Sequence, residues 1–385
     1  MSDVDQNMVL KWLGLHLTDQ VGSKTIGALL EHFGSIDAIY EAKASEMTRI
    51  PGISQKKAIR IIESRRDDKA QEELALAAKL GVKIIHFDHE DYPDGLKRIN
   101  DRPYVIYVKG TLVRQDKLAI AMVGSRSCSH YGMEQAGRLS HLLASAGFTV
   151  VSGLARGIDT AAHRGALAAK GRTIAVQGRG LAGVYPPENK DLANEIRQSG
   201  AVVSELPLTF EPISNNFPAR NRIIAGLTLG TVVVEARRRS GAAITARLAM
   251  EYEREVMAVP GPIDSPGSET PHRLIRDGAR LVEGIDDILE AIGYLGNDME
   301  KYADAKSKET IDKVEATTLD YTQLNLPDDE LTIISNIDKH PVHIDQLIKR
   351  TKLNAGQVNA AVTKLQLKGL IKQLPGNYFK AKTGI

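Results

Sequence analysis

FTVVSGLARGIDTAAHRGALAAKGRTIAVQ occupies residues 148–177. It opens on a short apolar run (148–151), turns through Ser152-Gly153, continues as a helical pattern over DTAAHRGAL, and closes on a second apolar run at 173–177. A strand, a glycine-bearing turn, a helix and another strand make a βαβ unit, which pairs its strands in parallel with the helix packed across them. The same rhythm extends both ways. Apolar runs recur at 118–123 (LAIAMV), 201–203 (AVV), 231–234 (TVVV) and 256–259 (VMAV), most of them separated by helical patterns of ten to fifteen residues. The fold class this predicts is α/β, a doubly wound, mainly parallel sheet. IIHFD and YVIYVKG, within residues 82–110, are expected to add strands at its edge.

Outside this core the text changes. Residues 1–75 read as a helical domain with two turns of the apolar-Gly-apolar kind, Val21-Gly22-Ser23-Lys24 and Ile50-Pro51-Gly52-Ile53-Ser54. This is the form of a helix-hairpin-helix (SAM-like) module, although Ser54 stands where a second glycine is common. Its turns serve either packing or contact with backbone phosphate. The sheet domain is assigned to 76–293. Residues 294–325 form a linker, with seven acidic residues against four lysines between 297 and 320. The remainder, 326–385, reads as three helices and a hairpin. Asp328-Asp329 caps the first, HIDQLIKR covers the second, Asn354 opens the third, Gly369 stops it, and a Pro375-Gly376-Asn377 turn joins two strands. That is a winged helix, a fold that reads DNA or docks onto protein.

Composition narrows the class. Hydrophobic residues at 42% and charged residues at 25% exclude disordered and fibrous chains. One cysteine, Cys128, excludes a disulfide framework and fits a reducing compartment. The start MSDVDQNMVLKWL lacks a basic-then-apolar signal, and no apolar run approaches a membrane span, so a cytoplasmic location is expected. The net charge of +2 hides an asymmetry: residues 331–385 hold nine Lys/Arg against two Asp, leaving the rest at −5. A basic module on a neutral body suits nucleic acid; a solvated helical face produces the same count.

In an open parallel sheet, ligands sit beyond the C-terminal strand ends. Those ends here carry Gly124-Ser125-Arg126, Ser152-Gly153 with Arg156 and Gly157, Gly178-Arg179-Gly180, Ser204-Glu205, Glu235 with Ser240-Gly241, and Pro260-Gly261. Exposed amides, hydroxyls and arginines on one edge describe a phosphate surface. FPARNRIIAGL (217–227) adds a puzzle, because Arg220 and Arg222 crowd the positive end of an apolar helix. Either a phosphate compensates them, or Glu205 or Glu211 does so in a structural ion pair. GRGLAG (178–183) fits G-x-G-x-x-G with Glu205 downstream, but Pro186-Pro187 prevents a helix from opening there, so it is read as a turn. HFDHEDYPD (86–94) reads as a solvated loop, Asp159 as a helix cap and His163 as a packed helix residue. No P-loop, H-E-x-x-H or G-x-S-x-G occurs.

MVGSRSCSHYG, VVSGLARGIDTAAHRGAL, YPPENKDLANEI, SELP, FPARNRIIAGL, VVEARRRSGAAITARLAM and VMAVPG follow one another in this order. Together they resemble the DNA-processing protein A family (DprA, also called Smf), over roughly residues 80–285. The resemblance implies an extended Rossmann-like domain that binds single-stranded DNA, self-associates as a homodimer, and loads the RecA recombinase onto incoming DNA during natural transformation. It implies neither catalytic residues nor a cofactor or metal. By motif position, Gly124, Ser125, Arg126, Ser152, Gly153, Gly157, Phe217, Arg220, Asn221 and Arg222 would line the DNA site, with Arg156, Lys190, Ser240 and Gly241 beside them. Thr270-Pro271-His272, Ala242-Ala243 and Ser214 depart from the family pattern. The alternative is a nucleotide-processing enzyme resembling the lysine-decarboxylase-like phosphoribohydrolases, but their P-G-G-x-G-T-x-x-E motif is absent around Glu235. A winged-helix regulator with a ligand-sensing domain is a third reading, which leaves the arginines unexplained.

Overall fold

A computed structural model describes residues 3–213, 216–238, 240–293, 326–337, 342–351, 353–368, 370–374 and 378–381. The linker at 294–325, Ser214, Gly369 and the Pro375-Gly376-Asn377 turn lie outside them, as does the side chain of Phe217. The chain forms two units, Met1–Ile292 and Gly293–Ile385.

Nine strands build the sheet of the first unit: β1 (Lys83–His86), β2 (Val105–Gly110), β3 (Ala119–Val123), β4 (Thr149–Ser152), β5 (Thr173–Val176), β6 (Ala201–Ser204), β7 (Gly230–Val233), β8 (Glu255–Ala258) and β9 (Arg280–Leu281). Their order is β1-β2-β6-β5-β4-β3-β7-β8-β9. All pairings from β6 to β9 are parallel. Strands β1 and β2 form an antiparallel edge hairpin, and β2 pairs antiparallel to β6. From β3 the chain winds outward through β4, β5 and β6, then returns to lay β7, β8 and β9 on the other side. The sheet is therefore doubly wound, and its order reverses between β3 and β7. Strands β3 to β7 are buried along their whole length, as strands covered on both faces must be.

Apolar layers flank the sheet, and two clusters stand out among the described residues. One contains Val123, Ile174, Ile223, Val233 and Ala246. The other joins Leu29, Ile39 and Ile61 of the N-terminal helices to Tyr104, Tyr107 and Leu192, so those helices share a core with the sheet. The last of them, Lys69–Leu80, runs through the boundary expected at residue 75. Trp12, fully buried, stacks between His86 (6.0 Å between centroids, 11° between planes) and Tyr104 (5.7 Å, 7°). In the second helical hairpin Gly52 takes φ +84°, and Ser54 caps helix Gln55–Ser64 by accepting from Lys57 N–H at 3.3 Å.

The second unit has helices Asp328–Ser335, Ile344–Thr351 and Ala355–Leu367 and a three-stranded sheet. Its strands are β10 (Val342–His343), β11 (Ile371–Leu374) and β12 (Tyr378–Ala381), in the order β10-β12-β11. This is a winged helix. Ile333, Leu347, Val358, Val362, Leu365 and Phe379 form its core. Asn354 caps the third helix in a reciprocal box with Gln357, at 2.9 and 3.0 Å. Asp328 and Asp329 do not cap the first helix: Pro327 holds that place, and the two acids sit in the first turn, where they complement the helix dipole.

Candidate nucleic-acid interface

A groove of about 1190 Å³ opens over the C-terminal ends of β3 and β7, where the strand order reverses. A doubly wound sheet leaves a crevice there because the connections from the two strands depart to opposite faces. Gly124, Ser125 and Arg126 form its β3 wall, Arg220 and Asn221 enter from helix Asn216–Gly226, and Ser240 and Gly241 lie where helix Gly241–Glu251 begins. Hydrogen bonds tie these pieces together. Ser125 N–H donates to Glu235 O at 2.7 Å, and Ile158 N–H donates to Ser125 O at 3.2 Å. Asn221 Nδ2 donates to Gly241 O at 3.1 Å, while Ser240 Oγ accepts from Ala243 N–H at 3.3 Å. Gly157 has φ +73°, and a Cβ there would sit 2.4 Å from Ser125 O, so this glycine lets one loop lie against the next.

The lining is strongly basic. Arg126, Arg220, Arg237, Arg238, Arg247 and Arg273 face the groove against two carboxylates, Asp159 and Asp277. Four of these arginines escaped the sequence reading. The signal for two of them was the arginine run beside Ser240-Gly241; Arg247 and Arg273 come from helix faces that only the fold brings together.

Beneath the wall lie two buried charged residues, each within the electrostatic influence of the other. Asp159 and Arg220 are 7% and 5% exposed. The Asp159 carboxylate accepts from Gly153 N–H at 3.1 Å and Ala155 N–H at 3.3 Å. It is not the helix cap expected: Gly157 occupies the cap position, and Asp159, inside the first turn, bonds back to the preceding loop. Arg220 lies so close over Gly153 that a Cβ there would meet its Nη1 at 1.9 Å, and it donates to Val176 O. Burial pushes the Arg220 guanidinium down to about 10, Asp159 opposing and Arg126 adding to the shift. Burial likewise raises the Asp159 carboxyl, with Arg220 opposing. Ser152 is fully buried, its hydroxyl donating to Met122 O at 2.7 Å. His163 is packed under the crevice. Thr173 donates to Val150 O at 2.7 Å, so His163 Nδ1–H donates to Thr173 Oγ1, also at 2.7 Å. Burial, then the Arg220 charge, push His163 down to about 3, so it is neutral at physiological pH.

The other residues singled out lie apart from the groove lining. Arg222, 8% exposed, pairs with Glu205 and, at 3.7 Å, with Asp101. The carboxylate at the mouth of this helix is thus Glu205, while Glu211 pairs with Arg179 at 3.5 Å. Arg156 makes a surface ion pair with Glu188, and Lys190 is exposed at the start of helix Lys190–Ser199. Glu235 is 4% exposed and accepts from Ser129 N–H at 2.8 Å and from the Ser129 hydroxyl, anchoring helix His130–Ser145. No helix opens at Gly183, and the next α-helix starts at Lys190. Among the described residues no group of three or more His, Cys, Asp or Glu could hold a metal ion. Nor is any helix among them long and apolar enough to cross a membrane.

Fold and groove define a class: a Rossmann-like sheet with an arginine-lined crevice at its switch point, in a chain that also carries helix-hairpin-helix and winged-helix modules. Within that class the chain belongs to the DNA recombination-mediator protein A family, whose profile matches residues 83–293. A SAM-like helix-hairpin-helix tandem matches residues 18–67, and a DprA winged helix domain matches 320–377. Protein Smf of Escherichia coli K12 is 40% identical over 301 residues, 78% of this chain and 77% of its own length. Protein Smf of a Synechocystis strain is 31% identical over 393 residues, 96% and 98% of the two chains. Among solved structures, DNA processing protein A of Streptococcus pneumoniae matches with a TM-score of 0.64 and 35% identity over 75% of this chain and 98% of that one. The Helicobacter pylori protein, whose structure is described as giving insight into a unique single-stranded DNA binding mode, matches with a TM-score of 0.50 and 29% identity over 56% and 96%.

Proposed function

We propose that this chain is a non-enzymatic mediator that binds single-stranded DNA, protects incoming strands and loads the RecA recombinase onto them during natural transformation, acting in the cytoplasm as a homodimer joined through the Rossmann-like domain. The observation that carries the reading is the arginine-lined groove at the switch point. Its buried carboxylate, Asp159, already accepts from two amides beside the Arg220 charge, and Arg237 and Arg238 stay exposed in the lining, where a polyanion can meet them. The single-strand binding mode described for the Helicobacter pylori relative supports it. Both oxygens of Glu235 are engaged with Ser129, which weighs against the enzyme alternative.

Polarisation of labelled oligonucleotides, single- and double-stranded, titrated at several salt concentrations, tests the reading. Single strands bind more tightly, and affinity falls as salt rises because phosphate contacts release counterions. Equal duplex affinity or salt-independent binding overturns it, as does nucleotide hydrolysis in a parallel screen. RecA filament assembly on strands coated with the single-strand-binding protein, with and without this chain, tests the loading step. Light scattering tests the dimer.

A further inference from the structure

We propose that Asp159 is a specificity-determining residue: its carboxylate fills the anion position of the crevice and bars free nucleotides and inorganic phosphate, leaving a strand to be held by the outer arginines. This rests on the reading of the groove as a single-strand site. A strand-end loop running into a helix N-terminus is an anion receptor, since its amides are unsatisfied and the helix dipole favours negative charge. The loop after β4 has those parts. The Gly153 and Ala155 amides converge at the head of helix Ile158–Ala168, with the Arg220 guanidinium laid over Gly153. Among the described residues, buried Arg220 Nε has no hydrogen-bond partner. In this chain the receptor holds its own anion. Asp159 comes from that helix's first turn, takes both amides and lies within the influence of the Arg220 charge, and neither residue is more than 7% exposed.

The consequence is a choice between polymer and monomer. A phosphate entering the receptor must displace a carboxylate that is covalently attached, and so present at a far higher effective concentration than any free nucleotide. Arg126, Arg237, Arg238 and Arg247 line the groove and are exposed, Arg247 in a surface ion pair with Glu251 at 3.4 Å. Solvated charges spread along a groove bind weakly one at a time and tightly only when many phosphates engage together. A strand satisfies that condition and a mononucleotide does not.

The test uses the full-length chain with inorganic phosphate and dTMP as probes. In the wild type, neither displaces a labelled single strand beyond the effect of matched ionic strength, and neither raises the melting temperature. Asp159→Ala frees two amides and a buried guanidinium. It should then melt higher in phosphate, and dTMP should displace the strand at a concentration about tenfold lower, the yield of one regained charge-assisted hydrogen bond. Folding of this variant only in phosphate also supports the proposal. Should it not fold at all, Asp159→Asn keeps an acceptor for the amides without the charge, and a phosphate-dependent rise in its melting temperature is expected. Displacement from the wild type by submillimolar dTMP overturns the proposal, and so does a folded Asp159→Ala that ignores phosphate. Melting in phosphate involves no DNA, so failure of the single-strand reading shows separately, as absence of oligonucleotide binding.

Discussion

Residues two apart on a helix point about 200° away from each other, and on Asn216–Gly226 this sends two arginines to different tasks. Arg220 turns to Asp159 and the groove, Arg222 to Glu205 and Asp101. Replacing Arg222 by Ala strands Glu205, which burial already drives toward its neutral form. A loss of about 3–5 kcal/mol is expected, as for other buried pairs with one partner removed. Thermal melts without DNA measure it, and the folded fraction should bind single strands with an unchanged salt slope. Arg126→Ala should instead act on the strand, reducing the slope by about 0.7 per lost phosphate contact. His163 gives a pH signature. Its folded value is depressed to about 3 from 6.5, so its share of stability is complete above pH 6.5 and drains away as pH falls toward the folded value. Across that window His163→Gln should flatten the decline by up to about 1.4 kcal/mol per pH unit. Chemical denaturation at several pH values reads the difference between the two proteins.

Elements differ in how plainly they announce themselves. Strands β3 to β8 were legible because burial on both faces demands unbroken apolar runs, and the loops between them because glycine and serine sit at their ends. Strand β9 was not: Arg280 and Leu281 are exposed and make a two-residue edge with no pattern to read. Strand order was equally silent. The run of strands in the chain does not say that β7 returns to lie beside β3, and that adjacency is what sets Arg237 and Arg238 across from Arg126. Facing was silent as well. Nothing in FPARNRIIAGL distinguishes Arg220 from Arg222, because either arginine could have met Glu205. Local signals fare best where one side chain closes the geometry, as at Asn354. Asn354→Ala should cost about 0.5–2 kcal/mol, seen as faster amide exchange in helix Ala355–Leu367 of the intact chain.

At the scale of the molecule, the two units have separate cores. Deleting residues 326–385 should therefore leave the melting of the first unit unchanged. That segment carries a net charge of +4 once Asp328, Asp329 and Glu330 are counted with the basic tail. Its loss should weaken binding to long single strands more than to short oligomers, and unchanged affinity on both would assign the winged helix to protein docking. The N-terminal helices offer a different handle. Trp12 is the chain's one tryptophan, and it lies sealed between His86 and Tyr104 where those helices meet the sheet. Its indole light therefore comes from a single seam. Emission should be blue in the native protein and should redden when the helices lift from the sheet, before or together with global unfolding. A strand lying only in the groove should leave the colour unchanged, so any shift on adding DNA would mean that the seam itself responds to the strand.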